Sequence, residues 1–66
     1  MNGWLTPEGE YIPCEPYQHE IVARLYGSSE LQWERQGYVK VFNDRYYCEL
    51  FLTDAQEKWL TDNNCL

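Results

Sequence analysis

Four side chains in this sequence have the chemistry to hold a zinc ion, Cys14, His19, Cys48 and Cys65, and two of them, Cys14 and His19, could serve as a thiol–imidazole pair. Structural zinc sites draw their ligands in local pairs, whereas Cys48 lies in an alternating apolar run and Cys65 follows a helix that should fray. The expectation is therefore buried or incidental thiols, with no metal and no other cofactor. Nucleophilic catalysis is equally unpromising, because Pro13 and Pro16 frame the start of a helix and no acidic side chain is indicated to orient His19. A single histidine without a defined pocket reads as a packed or hydrogen-bonded helix residue. Glu8 and Glu10 flank Gly9 in a turn and point to solvent, unlike the paired carboxylates of a glycosidase cleft. Gly27 and Gly37 fall where helix ends need them, which leaves no phosphate cradle. An enzyme is not expected, and a small metal or thiol enzyme is the weakest of the three functional readings.

The balance of 11 acidic against 5 basic residues, a formal charge of −6, argues against direct nucleic-acid binding, where Lys and Arg must displace counterions. It favours a basic protein partner, such as a nucleic-acid-binding enzyme. The 66 residues form one domain, 1–66, and a chain of this size buries only about 60% of the surface that its unfolded form exposes. Aromatic residues make up 17% of the chain, enough burial to distinguish it from a disordered acidic tail. An odd number of cysteines without C-x-x-C spacing or a secretory leader pattern suits a reducing cytoplasm. No apolar run approaches the ~20 residues needed to cross a bilayer, and an acidic chain has no electrostatic reason to sit on anionic lipid, so no membrane partner is expected.

The elements that must position any functional group follow from turn and cap signals. Trp4 to Ile12 reads as a hairpin, because Pro7 presets φ in a type I turn and Gly9 can close it in the left-handed region. Pro16 suits the first turn of a helix and Gly27 its C′ position, with Ile21, Val22 and Leu25 on one face and Glu20–Arg24 as a solvated pair. Ser29-x-x-Gln32 and Thr53-x-x-Gln56 are capping boxes, and Gly37 ends the helix that the first of them begins. The expected architecture is α+β: a small antiparallel sheet of two hairpins, about 4–12 and 38–52, with helices at about 16–26, 29–36 and 54–62 packed on one face.

The second hairpin carries the main functional expectation. Pairing across Asn43-Asp44 sets Phe42 opposite Arg45, Val41 opposite Tyr46 and Lys40 opposite Tyr47. Alternation then gathers Val39, Val41, Tyr46, Cys48, Leu50 and Leu52 on a core face. The opposite face holds Tyr38, Lys40, Phe42, Arg45, Tyr47, Glu49 and Phe51, a mixture of aromatics and charges typical of protein-binding surfaces. The competing reading is that the first hairpin, with Trp4 and Tyr11, simply covers this face.

Gly3-Trp4-Leu5-Thr6-Pro7-Glu8-Gly9, followed by His19, Ala23 and Gly37-Tyr38-Val39-Lys40-Val41, resembles a pattern in small α+β proteins of bacteriophages and mobile elements, as does Leu52-Thr53-Asp54-Ala55-Gln56. The resemblance implies a protein that acts by binding, and phages use acidic proteins of this size to occlude host defence enzymes such as CRISPR effector nucleases. In that setting the protein would work in the host cytoplasm as an inhibitor that mimics or displaces nucleic acid. A second reading is a self-associating structural or accessory module, a homodimer through its aromatic face.

Overall fold

Local turn chemistry sets both hairpins. In the computed structural model, which describes all 66 residues, strands β1 (Gly3–Leu5) and β2 (Tyr11–Pro13) are joined through a turn in which Gly9 has φ +86°. The Gly9 N–H donates to the Thr6 carbonyl at 2.8 Å and the Thr6 N–H to the Glu10 carbonyl at 2.9 Å. Trp4 pairs with Ile12 and Leu5 with Tyr11, the register the turn dictates. Strands β3 (Val39–Phe42) and β4 (Arg45–Tyr47) meet at Asn43 and Asp44, whose φ values of 52° and 63° are the left-handed pair that a two-residue type I′ turn requires. Their register is also the expected one, Phe42 with Arg45, Val41 with Tyr46 and Lys40 with Tyr47.

The hairpins merge into one four-stranded antiparallel sheet of order β2-β1-β3-β4, through pairing of Trp4 with Lys40 and Leu5 with Val39. This places β1 and β3 in the centre and leaves β4 as an edge.

Helices α1 (His19–Leu25), α2 (Glu30–Arg35) and α3 (Asp54–Asp62) complete an α+β fold, and none of them is long and apolar enough to cross a membrane. Each ends in a Schellman motif with a left-handed C′ residue, Gly27, Gly37 or Asn64, at φ 79°, 92° and 57°. The closing 6→1 hydrogen bonds run from Ser28 to Ala23 at 2.9 Å, Tyr38 to Trp33 at 2.9 Å and Cys65 to Leu60 at 2.8 Å. Asn64 thus stops α3 and turns Cys65 into the core, so the end of the helix is ordered rather than frayed. Thr53 and Gln56 form a complete capping box on α3, while on α2 only the Ser29 half is made, its Oγ accepting from the Gln32 N–H at 3.1 Å.

Three expectations are corrected. Pro16 does not open α1; it lies in a turn in which the Gln18 N–H donates to the Glu15 carbonyl at 3.1 Å, and Tyr17, at φ +66°, breaks any helical path before His19. The helices do not share one face. Leu5, Val39 and Val41 pack against Leu60 and Cys65 on the α3 side, while Trp4 packs with Ala23 and Trp33 on the α1–α2 side. The reason lies in β1, where consecutive residues Trp4 and Leu5 both have 0% exposure. A strand buried on both sides requires a layer on each.

Finally, the second hairpin stops at Tyr47 rather than 52, and the core face it was expected to supply is incomplete. Val39 and Val41 are buried, but Tyr46, Cys48 and Leu50 are exposed and Leu52 is half-buried. Alternation alone does not bury an edge strand: the α3 side chains pack over β1, β2 and β3 residues and leave Tyr46 only partly covered, at 37% exposure.

Candidate functional site

His19 and Cys65 take structural places, Cys14 is half-buried and Cys48 lies exposed. The His19 ring is buried, and its Nε2–H donates to the Val41 carbonyl at 2.8 Å, the direction fixed by a carbonyl that can only accept. Trp4 Nε1–H donates in turn to the His19 carbonyl at 2.9 Å, so these groups pin α1 to the central strands. Cys14, Cys48 and Cys65 are free thiols, and no group of three His, Cys, Asp or Glu side chains is gathered to hold a metal ion. Burial, reinforced by Glu15, pushes the Cys14 thiol above its ordinary range, and burial, reinforced by Asp44, does the same to Cys65. Both are thiols rather than thiolates at neutral pH, a poor state for nucleophilic work.

The seven residues expected on the partner-facing side of the second hairpin divide into two groups. Tyr38 lies half-buried and stacks on Trp33 at 4.4 Å between ring centres and 8° between planes. Lys40 reaches Glu30 at 2.7 Å. Phe42 is half-buried beneath Tyr17, 5.1 Å between rings, and beside His19 at 6.0 Å. These three are held by α1 and α2. The first hairpin does not cover them, because its strands lie alongside β3 in the same sheet. Arg45, Tyr47, Glu49 and Phe51 are exposed, Phe51 completely at 101%.

The open part of the second hairpin is therefore β4 and the residues that follow it, and it includes two apolar side chains that alternation assigned to the core, Tyr46 and Leu50, while Ile21, Leu25, Tyr26 and Leu31 are exposed on and beside α1 and α2. Tyr17, also exposed, joins it through Phe42. Nothing in the local pattern marks β4 as an edge; only the long-range pairing of β1 with β3 makes it one.

The charge of the chain as a whole is unbalanced. Ion pairs join Arg24 to Glu20 at 2.9 Å, Lys40 to Glu30 at 2.7 Å and Lys58 to Asp62 at 2.9 Å. Arg35 and Arg45 make no ion pair, and neither do Glu8, Glu10, Glu15, Glu34, Glu49, Asp54 and Glu57. Glu20 is held below the usual carboxylate range by the Glu30 N–H, which it accepts at 2.5 Å, and by Arg24. Glu34 is pushed upward by partial burial and by the neighbouring Glu30 and Glu49, an effect that Lys40 opposes only in part.

A raised Glu34 means that the folded state binds its proton more tightly than the unfolded chain. The associated stability is present below the ordinary value of 4.5 and is lost as pH rises through the folded value. Because glutamine mimics the protonated acid, Glu34→Gln is expected to melt at a higher temperature than the parent at pH 7. That advantage should vanish at pH 4 and below, which thermal unfolding across this range will show. Two of the three depressions on the surface are open and polar, lined by Asp54, Glu57, Lys58, Thr61 and Asp62 along α3 and by Glu20, Ser29, Glu30, Leu31 and Glu34 between α1 and α2. Neither has the apolar enclosure that small-molecule sites use.

Compared with known proteins, the chain matches no family model, no curated protein and no solved structure.

Proposed function

We propose that the chain acts by binding a basic protein through the open edge of its sheet, as a small phage- or mobile-element-type protein that occludes a host defence nuclease such as a CRISPR effector. The observation that supports this best is Phe51, a phenylalanine with no cover at all, beside exposed Tyr46, Tyr47 and Leu50. Exposed apolar side chains clustered along an unpartnered edge are the material of interface cores, here Tyr47 on one face of β4, Tyr46 on the other and Phe51 beyond its end, and Tyr and Arg are favoured at hot spots. The chain as a whole carries a formal charge of −6, a negative field that steers a cationic partner, and Glu49 adds an unpaired carboxylate within the edge segment itself. Occlusion of a groove that normally holds phosphates is the matching mechanism.

The test is binding to, and inhibition of, a purified CRISPR effector nuclease. Wild type is expected to bind and to block cleavage, with affinity falling as salt is raised. Tyr47→Ala combined with Phe51→Ala is expected to weaken binding by about 100-fold, the scale of a hot-spot pair. Since both side chains are exposed, the melting temperature should not move. Salt-independent binding, or an unimpaired double variant, overturns the mechanism.

The same edge could seat a second copy through β4. Two chains of formal charge −6 repel one another, which ranks a self-associating module second. A sedimentation profile independent of concentration removes this alternative, whereas a dimer broken by Phe51→Asp replaces the first reading with it.

A further inference from the structure

Tyr17 occupies a position that the fold itself would give to glycine. It is the third residue of the turn Glu15–Gln18, closed by the Gln18 N–H on the Glu15 carbonyl at 3.1 Å. Pro16 suits the second position of a type I or a type II turn, and the positive φ of the next residue makes this one type II, which demands a left-handed third residue. Tyr17 meets that demand at φ +66° despite its Cβ. Glycine would adopt this conformation freely, whereas a side chain there is strained. Nor does burial compensate for the strain, since Tyr17 is 82% exposed. Its contact is a tilted one with Phe42, the residue that faces Arg45 across the second hairpin.

A strained backbone supporting an exposed aromatic, on the border of an open sheet edge, is the pattern of a recognition residue rather than of a scaffold residue. We infer that Tyr17 is a further partner-binding residue, and that the docking surface runs from Phe51 and Tyr47 across Arg45 and Phe42 to Tyr17. The inference rests on the protein-binding reading above. Its occupant is the same basic protein, favoured over a second copy by the net charge of −6. The neighbouring Glu15, which makes no ion pair, adds a local anchor for a cationic group.

The experiment measures melting temperature and binding to the purified CRISPR effector nuclease for Tyr17→Gly, Tyr17→Asn and Phe51→Ala. Asparagine tolerates the left-handed region, so it keeps the turn while removing the ring. Both Tyr17 variants are expected to melt at or above the wild-type temperature and to bind about fivefold or more weakly, as loss of an interface aromatic does. Opposite movements of stability and affinity separate a recognition residue from a structural prop. If Phe51→Ala weakens binding and neither Tyr17 variant does, the inference fails while the binding function stands. Wild-type protein that does not bind the nuclease overturns both. A fall of several degrees in both Tyr17 variants also overturns the inference, because Tyr17 would then be holding Phe42 in place.

Discussion

Gln56→Leu is expected to destabilise the fold by about 3 kcal/mol, measured as a lower urea midpoint with an unchanged slope. Gln56 has 0% exposure, and its amide joins three parts of the chain. The Oε1 atom accepts from the Thr53 N–H at 3.0 Å. The Nε2 group donates to the Gly37 carbonyl at 2.8 Å, the Thr6 carbonyl at 3.1 Å and, more weakly, the Leu5 carbonyl at 3.3 Å. Leucine keeps the volume and the helix propensity, so the loss isolates the polar contacts. Each buried group left unpaired costs about 1–3 kcal/mol, and partial access of water to Thr53 and Gly37 keeps the sum near the lower end.

Against a total of about 3–10 kcal/mol for a chain of this length, that loss brings the native state close to its limit. Gln56→Glu provides the control on mechanism. An ionised carboxylate facing three carbonyls is worse than leucine, but the protonated acid restores one donor, so this variant should regain stability as the solution is acidified. A Gln56→Leu protein as stable as wild type would show that Thr53, whose Oγ1–H donates to the Pro7 carbonyl at 2.7 Å, holds the start of α3 unaided.

Gln56 also marks the boundary between what the sequence discloses and what it does not. Its cap role is legible because Thr53 and Gln56 are three residues apart and the geometry is local. The same holds for Gly9, for the left-handed Asn43-Asp44 pair and for Gly27 and Gly37, each determined by the conformation of a few neighbouring residues. The second role of Gln56, bonding to residues 5, 6 and 37, depends on a fold that spacing does not encode.

Layering was hidden for a related reason. Alternation assigns Val39 and Cys48 to the same face of one hairpin, yet β3 is central and β4 is an edge, so Val39 is buried and Cys48 is not. Only the union of the two hairpins decides this, and it rests on long-range pairing such as Trp4 with Lys40. The candidate surface inherits the same division. Arg45, Tyr47, Glu49 and Phe51 were legible as one face of a hairpin, whereas Tyr46 and Leu50 became surface because the edge is only partly covered. Tyr17 carried no signal beyond Pro16 before it, which suits a type II turn as well as a helix start.

Trp4→Ala is expected to have the largest effect of any single substitution, a loss of about 4 kcal/mol that leaves no cooperative thermal transition at ordinary temperatures. Trp4 has 0% exposure and meets His19 and Trp33 edge-on at 5.7 and 5.3 Å. Its buried neighbours on that side of the sheet are Ala23 and Trp33, with Ile12, Val22 and Tyr38 at the margin, and the β-branched Ile12 and Val22 are too short and stiff to fill the space of an indole. Truncation also leaves the His19 carbonyl without the indole N–H that it accepts.

Trp4→Phe separates the two components, because it keeps most of the apolar contact and should lose only about 1–2 kcal/mol, including the missing hydrogen bond. The consequence for function follows from position. Trp4 anchors α1 and α2 to the sheet, Tyr17 reaches Phe42 from the turn before α1, and Tyr38 stacks on Trp33 of α2. Trp4→Ala should therefore abolish partner binding together with the thermal transition, whereas Phe51→Ala should weaken binding at an unchanged melting temperature. If Trp4→Ala retained both a cooperative transition and full affinity, the α1–α2 layer would be dispensable to the surface and recognition would lie entirely in the segment from Arg45 to Phe51.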